Sequence, residues 1–397
     1  MTAEAPPQRE GETRFLLASF SLGHMANDWA PGAVWLIAPA IAFDLGLSPS
    51  ELGLLITISA IGASLAYFPA GLLADHVAHR GRLLALTFWW VAIGFFAASF
   101  ATSFWSIAIL LALAGLGDAA WHPIATGVLA KRWPARRGEA LGVHAIGGSL
   151  AVVLAPLAVG YLLAVLDWRE ALRISVLPAL IMALVFTVFI ARRVPPSDDS
   201  GTTRGDVGAF FAVWLRPLGL AFLTMVVAYH MSFTAVMSMT PLYLQTTHGY
   251  SPAQAGTLFA VGLLAGTLML PWLGRVSDRI GRKRVVVTMI FCGGMLAVGI
   301  AFAGSGLALM ATVIGAIGML VGVRAVILAL AVDFAAKREG TTLGFVFGLM
   351  DGVGALGAVL AGLVGEVDLS RAFLLGGGMA LATAVLAGLL PLRRPAG

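Results

Sequence analysis

The sequence predicts an all-α integral membrane protein, with twelve transmembrane helices in two pseudo-symmetric six-helix bundles. Three observations predict this fold class: long apolar runs, basic residues placed between those runs, and a repeat that relates the two halves of the chain. Of the 397 residues, 59% are hydrophobic and 11% are charged, whereas a soluble domain carries about 25% charged residues. A soluble fold could not cover so much apolar surface.

The apolar runs are long enough to cross a lipid bilayer, because a helix of about 20 apolar residues spans the ~30 Å hydrocarbon core. The N-terminal residues lack the basic stretch, apolar core and cleavage site of a secretory signal, so we expect the first run to be retained. The twelve predicted spans are residues 14–42, 52–74, 83–101, 104–130, 139–163, 170–191, 216–244, 253–274, 284–304, 306–332, 341–364 and 371–392.

The basic residues predict the orientation of these spans. With a cytoplasmic N-terminus, only Arg169, Arg173 and Arg371 fall in extracytoplasmic loops, and the other basic residues that lie between spans are cytoplasmic. This bias is the positive-inside pattern, so the net charge of +5 reflects topology and not nucleic-acid binding. We therefore expect a multi-pass, monomeric protein of a bacterial inner membrane with both termini in the cytoplasm. The single cysteine, Cys292, excludes an internal disulfide.

A repeat relates the two halves of the chain. Residues 48–53 (SPSELG) correspond to residues 251–256 (SPAQAG), a shift of 251 − 48 = 203 positions. The same shift carries Gly71 to Gly274 and Asp75 to Asp278, and internal duplication is typical of transporters. The predicted domains are residues 1–191 (N-terminal bundle), 192–215 (a polar cytoplasmic linker) and 216–397 (C-terminal bundle).

Residues 274–284 (GRVSDRIGRKR) lie between the eighth and ninth spans and match the loop signature G-x-x-x-D-R-x-G-R-K/R. On this motif the chain resembles the major facilitator superfamily, and the resemblance implies a major facilitator fold with loops that gate its cytoplasmic side. The first-half copy, residues 71–80, keeps only the Gly, Asp and Arg positions. The candidate gating residues are Asp75, Arg80, Gly274, Asp278, Arg279, Gly281 and Arg282.

Within that superfamily, the chain is similar to the fosmidomycin-resistance-type drug exporters. The similarity rests on residues 21–28 (SLGHMAND) and 115–123 (GLGDAAWHP), and it implies proton-coupled export of a small organic compound. Two departures from the pattern of proton antiporters are present. Leu111 occupies the position of an Arg on the fourth span, and the glycine-rich run of the fifth span is matched only in part by residues 147–160.

Ionisable side chains inside a membrane are costly and therefore indicate function. Those that lie well inside the predicted spans fall on spans 1, 4, 5, 7, 10 and 11, and none of them falls on spans 3, 6, 9 or 12, which the resemblance places outermost. This distribution predicts a polar central pathway. The residues concerned are His24, Asp28, Asp118, His122, His144, His230, Arg324 and Asp351.

Two Asp/His pairs have helical spacing: His24 with Asp28, and Asp118 with His122. Residues four apart share one face of a helix, and a carboxylate beside an imidazole can pass a proton between two sites. We therefore expect both pairs to couple transport to protons. The alternative is that each Asp only accepts hydrogen bonds from neighbouring helices.

Arg324 is the one cationic side chain predicted well inside a span. A buried guanidinium needs an anion, which either Asp351 or Asp118 could supply, or else an anionic substrate bound bidentately. The candidate substrate-binding residues are Arg324, His230, Asp351, Asn27, His144 and Trp121.

The sequence also leaves rival functions open: a metabolite importer working by symport or uniport, a copper importer, and a membrane sensor that transports nothing. Copper is suggested by Met225, His230, Met231, Met237 and Met239 on the seventh span, because thioether and imidazole ligands suit that metal. No pair among them has the four-residue spacing used by copper importers of the superfamily. No nucleotide loop or catalytic cluster is found, so we expect no enzyme activity, no cofactor and no bound metal.

Overall fold

The computed structural model describes residues 10–133, 136–194, 204–335 and 339–391. At residues 10, 12, 13, 74, 75, 204–207, 209 and 339–341 it describes the backbone alone. Within these ranges the chain is helical and contains no strand. The helices of the first half are α1 (Glu10–Leu45), α2 (Pro49–His76), α3 (Arg80–Ala98), α4 (Phe104–Arg132), α5 (Arg137–Leu162), α6 (Trp168–Ser175) and α7 (Leu177–Val185), which a π-helical turn continues to Ile190.

The second half repeats this organisation. A short helix, α8 (Arg204–Trp214), lies inside the segment predicted as a polar linker. The helices that follow are α9 (Pro217–Thr246), α10 (Pro252–Ile280), α11 (Arg282–Phe302), α12 (Leu307–Gly322), α13 (Arg324–Ala335), α14 (Glu339–Gly352), α15 (Leu356–Gly365) and α16 (Ser370–Leu389). Three predicted spans are each built from two helices: α6 with α7, α12 with α13, and α14 with α15.

Among the described residues, eleven segments are long and apolar enough to cross a membrane. Helix α1 is the twelfth span, and its 36 residues include the polar His24, Asn27 and Asp28. Large apolar side chains such as Trp105, Leu268 and Phe302 are 62%, 69% and 77% exposed, as expected of a surface that faces lipid. The prediction of a twelve-helix membrane protein is confirmed.

The repeated sequence at residues 48–53 and 251–256 has a structural explanation. Ser48 and Ser251 each cap a helix, and each receives a hydrogen bond from the backbone N–H three residues later, at 3.3 and 3.2 Å. The side-chain oxygens of Glu51 and Gln254 accept a hydrogen bond from the backbone N–H of the capping serine, which completes a capping box. The duplicated motif therefore begins equivalent helices, α2 and α10, at the same end of the bundle.

The two ends of the bundle differ in charge and in packing. We call the end that carries Arg80, Arg132 and Arg282 the basic end, and the end that carries Ser48 and Ser251 the opposite end. The two halves pack closely at the opposite end, where a Cβ atom on Gly362 would lie 2.2 Å from the carbonyl oxygen of Pro49. Only glycine permits so close an approach of α15 to α2.

Candidate functional site

Polar side chains of α1 and α4 meet midway along both helices. We call His24, Asn27, Asp28, Asp118 and His122 the α1/α4 cluster. His24 Nε2 lies 3.2 Å from Asp28 Oδ2, and His122 Nε2 lies 3.7 Å from Asp28 Oδ1. The second predicted pair is looser, with 4.0 Å between His122 Nε2 and Asp118 Oδ1. The two Asp and two His side chains are 15–25% exposed, so the cluster remains accessible although it lies inside the bundle.

The hydrogen bonds of His24 locate one proton. Its Nδ1 lies 3.0 Å from the backbone carbonyl oxygen of His144, and a carbonyl can only accept, so Nδ1 carries a hydrogen. If Nε2 of His24 carried no hydrogen and Asp28 were ionised, the lone pair of Nε2 would face the negatively charged Oδ2 of Asp28 at 3.2 Å. The contact is favourable with a hydrogen between the two atoms, so His24 and Asp28 are placed to share a proton.

Asn27 joins the two carboxylates of the cluster. Its Nδ2 lies 2.6 Å from Asp118 Oδ1 and 3.3 Å from Asp28 Oδ1. The side chain is fully buried, so it contacts the two Asp residues and not the accessible space. The structure therefore places Asn27 as a residue that positions Asp28 and Asp118.

His144 and Trp121 lie behind the α1/α4 cluster. The His144 ring stacks on the His24 ring with 4.2 Å between centroids, and its Nδ1 donates to the Phe20 carbonyl oxygen over 3.1 Å. Trp121 is fully buried and packs 4.6 Å from the Phe88 ring. Neither side chain reaches the accessible space in this conformation, so both support the cluster from the apolar side.

A second group of polar side chains lies in the other half. We call Arg324, Asp351 and His230 the α13/α14 cluster. Asp351 Oδ1 lies 3.3 Å from His230 Nε2 and 3.7 Å from Arg324 Nη2. Asp351, and not Asp118, is therefore the internal anion nearest to Arg324. The Arg324 side chain is 35% exposed, whereas that of His230 is 5% exposed, so the guanidinium is the accessible member of the cluster.

The two spans that carry Arg324 and Asp351 are interrupted next to these residues. Helix α12 ends at Gly322 and α13 begins at Arg324. The hydroxyl of Tyr229 donates to the Leu320 carbonyl oxygen, which an uninterrupted helix would offer to the Arg324 N–H. Helix α14 ends at Gly352, beside Asp351, and α15 begins at Leu356. Interrupted helices of this kind form the binding sites of many transporters, because helix ends present unpaired backbone groups.

Tyr67 of α2 connects the two clusters. Its hydroxyl donates to Asp351 Oδ2 over 2.8 Å, and its ring centroid lies 6.0 Å from that of His122. Tyr67 was not among the predicted site residues. An apolar stretch of sequence with one Tyr gives no sign that the hydroxyl group will meet a carboxylate 284 positions away.

The predicted gating loop lies at the basic end. Gly281 has φ of +99°, which confirms the turn expected there, since this left-handed conformation favours glycine. Arg282 Nε forms an ion pair of 2.8 Å with Asp333 Oδ2 of α13, and its Nη2 lies 3.7 Å from Asp278. Asp333 was missed because no sequence motif marks it.

The remaining gating candidates differ in their exposure. Gly274 is half-buried and Arg279 is exposed. In the first-half copy, Arg80 is 4% exposed, and the Asp75 side chain lies outside the described residues.

Three side chains of the α1/α4 cluster could surround a cation. One ligand atom each from His24, Asp28 and His122 lie within 4.8 Å of one another. The separation of 3.2 Å between His24 and Asp28 is also that of a hydrogen bond, so a proton accounts for it without further ligands. Met225, Met237 and Met239, which suggested copper, are buried in the apolar core and do not approach this cluster.

Comparison with known proteins gives a consistent result. The profile described as Major Facilitator Superfamily matches residues 20–323 and 222–397. A probable 4-methylmuconolactone transporter of Cupriavidus pinatubonensis (strain JMP 134 / LMG 1197) is 27% identical over 348 residues, covering 83% of this chain and 78% of that protein. The fosmidomycin resistance protein of Escherichia coli (strain K12) is 26% identical over 366 residues, which cover 88% of this chain and 86% of that protein. The crystal structure of the nucleoside transporter NupG is similar in fold, with a TM-score of 0.78 at 13% sequence identity. The match covers 96% of this chain and 100% of NupG.

Proposed function

The chain belongs to the major facilitator superfamily, whose members transport small molecules across membranes, and we propose that it exports a small organic anion in exchange for protons. The observation that carries this proposal is the arrangement of the two clusters. A proton-holding pair, His24 with Asp28, and an accessible guanidinium, Arg324, lie on opposite sides of Tyr67. Proton and anion would then occupy separate sites that share one connecting side chain.

The proton would be carried at the α1/α4 cluster. The shared proton would lie between His24 and Asp28, and Asn27 holds Asp118 beside them. Loss of that proton would leave two acceptors in contact on α1, so these side chains would separate or take up another proton. This response would link the protonation state to the arrangement of the cluster.

The anion would bind at Arg324. A guanidinium has five N–H donors, and among the described contacts of this side chain only Nη2 approaches a carboxylate, at 3.7 Å. Arg324 also begins α13, and the positive end of a helix favours an anion. The remaining donors can therefore form the bidentate pair that a carboxylate or phosphonate accepts.

Alternating access would expose these sites to one side at a time. The halves contact each other at the opposite end, where the Ser50 N–H donates to Glu366 Oε1 over 3.0 Å. We infer that this conformation opens toward the basic end, which is the cytoplasmic side if the positive-inside pattern holds. Both termini would then be cytoplasmic in the bacterial inner membrane, and each monomer would contain a complete pathway.

Thermal stabilisation by small anions tests the substrate class. Benzoate and methylphosphonate should raise the melting temperature of the purified protein, whereas the cation tetraphenylphosphonium should not, because a ligand stabilises the state that it binds. Arg324→Gln should remove the effect of both anions, and Arg324→Lys should weaken it. Stabilisation by the cation, or anion binding that survives Arg324→Gln, would refute an anion site at this residue.

Two rival functions predict different results. A metabolite importer working by symport would also bind the anion, but an inward proton gradient would drive uptake of the anion instead of efflux. A membrane sensor would bind a ligand without moving it across a proteoliposome membrane.

A further inference from the structure

Four flat side chains form a row between the two clusters. The ring of Tyr67 lies 6.0 Å from that of His122 on one side and 5.9 Å from that of Phe347 on the other. The guanidinium carbon of Arg324 lies 5.3 Å from the Phe347 ring centroid. The row crosses from α4 and α2 of the first half to α14 and α13 of the second half.

The rings in this row have similar orientations. The planes of Tyr67 and His122 are inclined by 32°, and those of Tyr67 and Phe347 by 24°. Phe347 is half-buried, as are His122 and Arg324, so the row borders accessible space. A ligand that binds Arg324 therefore has the Phe347 ring beside the guanidinium.

The charge near Arg324 restricts the charge of the ligand. Asp351 already lies 3.7 Å from the guanidinium, and Asp28 and Asp118 lie across the row in the α1/α4 cluster. Among the described residues midway along the spans, Arg324 is the one side chain with a permanent positive charge. Each further negative charge brought into this membrane interior is costly, so we expect a ligand of charge −1 to be favoured over a dianion.

We propose that the transported anion is a small aromatic or planar unsaturated monoanion. Its carboxylate binds Arg324, and its flat body packs against the accessible part of Phe347. Aromatic pairs prefer offset or edge-to-face geometry with centroids about 4.5–7 Å apart, and we expect that spacing between the ligand and Phe347. This inference rests on the proposed anion site at Arg324 and narrows its substrate class.

Two carboxylates of similar size test the role of the flat body. Benzoate and cyclohexanecarboxylate differ mainly in planarity, and their dissociation constants for the purified full-length protein can be measured by calorimetry at pH 7. We expect benzoate to bind about fivefold more tightly than cyclohexanecarboxylate. An aromatic pair contributes about 0.5–1.5 kcal/mol beyond the burial of its area, and about 1.4 kcal/mol corresponds to a tenfold change in the dissociation constant. Methylphosphonate should bind more weakly as its second proton is lost.

Variants separate this inference from the proposed function. Phe347→Leu should remove the preference for benzoate while both carboxylates still bind, and Phe291→Leu, at a half-exposed position on α11, should leave the preference unchanged. Equal affinities of the wild type for the two carboxylates, or a loss of both on Phe347→Leu, would overturn the planar-ligand inference alone. If neither carboxylate binds the wild type, the anion site itself is wrong.

Discussion

The hydroxyl group of Tyr67 donates a hydrogen bond of 2.8 Å to Oδ2 of Asp351. This bond joins α2 of the first half to α14 of the second half at the level of both polar clusters. Asp351 also contacts His230 and Arg324, so Tyr67 helps to hold the carboxylate that an incoming anion must compete with. A change at Tyr67 should therefore alter anion binding without removing any charge.

We expect Tyr67→Phe to weaken the binding of benzoate about tenfold. Without the Tyr67 hydroxyl, the Asp351 carboxylate accepts one hydrogen bond fewer and should form a closer ion pair with Arg324. The anion must then compete with a stronger internal ion pair. A hydrogen bond to a charged group contributes about 1.5–3 kcal/mol, and about 1.4 kcal/mol is tenfold in affinity. Calorimetric titration of the variant gives the dissociation constant directly.

Tyr161→Phe is the matched control, because Tyr161 is 59% exposed on the surface of α5 and should not affect binding. If Tyr67→Phe and Tyr161→Phe bind benzoate equally well, the hydroxyl of Tyr67 has no part in the anion site.

Asp28→Asn should abolish coupling while leaving exchange intact. The amide cannot take part in the proton sharing that we propose for His24 and Asp28, so a pH gradient should no longer drive net flux. Exchange of labelled for unlabelled anion needs no proton movement and should continue. Asp118→Asn should reduce coupling as well, because Asn27 joins the two carboxylates.

Asp368→Asn, in an exposed loop, is the control for these substitutions and should transport as the wild type does. Proton-driven flux that persists in both Asp28→Asn and Asp118→Asn would show that these carboxylates only accept hydrogen bonds.

Close packing at Gly362 should control which side is open. A Cβ atom there would lie 2.2 Å from the Pro49 carbonyl oxygen, so Gly362→Ala must separate α15 from α2. We expect the protein to shift toward a conformation that is open at the opposite end. The distance between spin labels on Ala164 and Leu307, both exposed at that end, should lengthen in a Cys292→Ser background.

Gly378→Ala is the matched control, because nothing lies within 4 Å of a Cβ atom at Gly378. An unchanged label distance in Gly362→Ala would mean that α2 and α15 tolerate the methyl group without separating.

The contact between Ser50 and Glu366 should make closure at the opposite end sensitive to acid. Hydrogen bonds from Ser50 and Ser48 hold the pKa of Glu366 below its ordinary value of 4.5. A lowered pKa means that the contact stabilises the closed conformation above pH 4.5, and that this stabilisation is lost as the pH falls through the lowered pKa. Nearby charges are those of Glu51, Asp368 and Arg371.

The same label pair should therefore report opening at the opposite end as the pH is lowered toward 3. Glu366→Gln should be more open at pH 7, and its remaining acid response should be smaller. An acid response of the wild type that survives unchanged in Glu366→Gln would assign the effect to another group.

The sequence was sufficient to predict features that depend on local spacing. The contact between His24 and Asp28 follows from a four-residue separation on one helix, and the turn at Gly281 follows from its loop motif. Contacts between distant segments were not predictable in this way. Asn27 reaches Asp118 across 91 positions, and Arg282 reaches Asp333 on another span, and such pairs depend on how the helices pack.

The interruptions of the tenth and eleventh spans were also missed. Hydrophobicity gives one continuous run for residues 306–332, although α12 ends at Gly322 and α13 begins at Arg324. The cause lies on another helix, where Tyr229 uses the Leu320 carbonyl oxygen. The burial of Trp121, a candidate binding residue, was likewise not evident from the sequence, because it depends on packing against Phe88 and Phe186 of other helices.

Anion flux under an imposed pH gradient tests the central proposal most directly. Proteoliposomes would be loaded with radiolabelled benzenesulfonate, which stays ionised and does not cross the bilayer as a neutral acid, and the membrane potential would be clamped with potassium and valinomycin. We predict that acidifying the outside accelerates efflux in the wild type and not in Asp28→Asn. Uptake driven by the same gradient, or a wild-type flux that ignores it, would contradict exchange of an anion for protons.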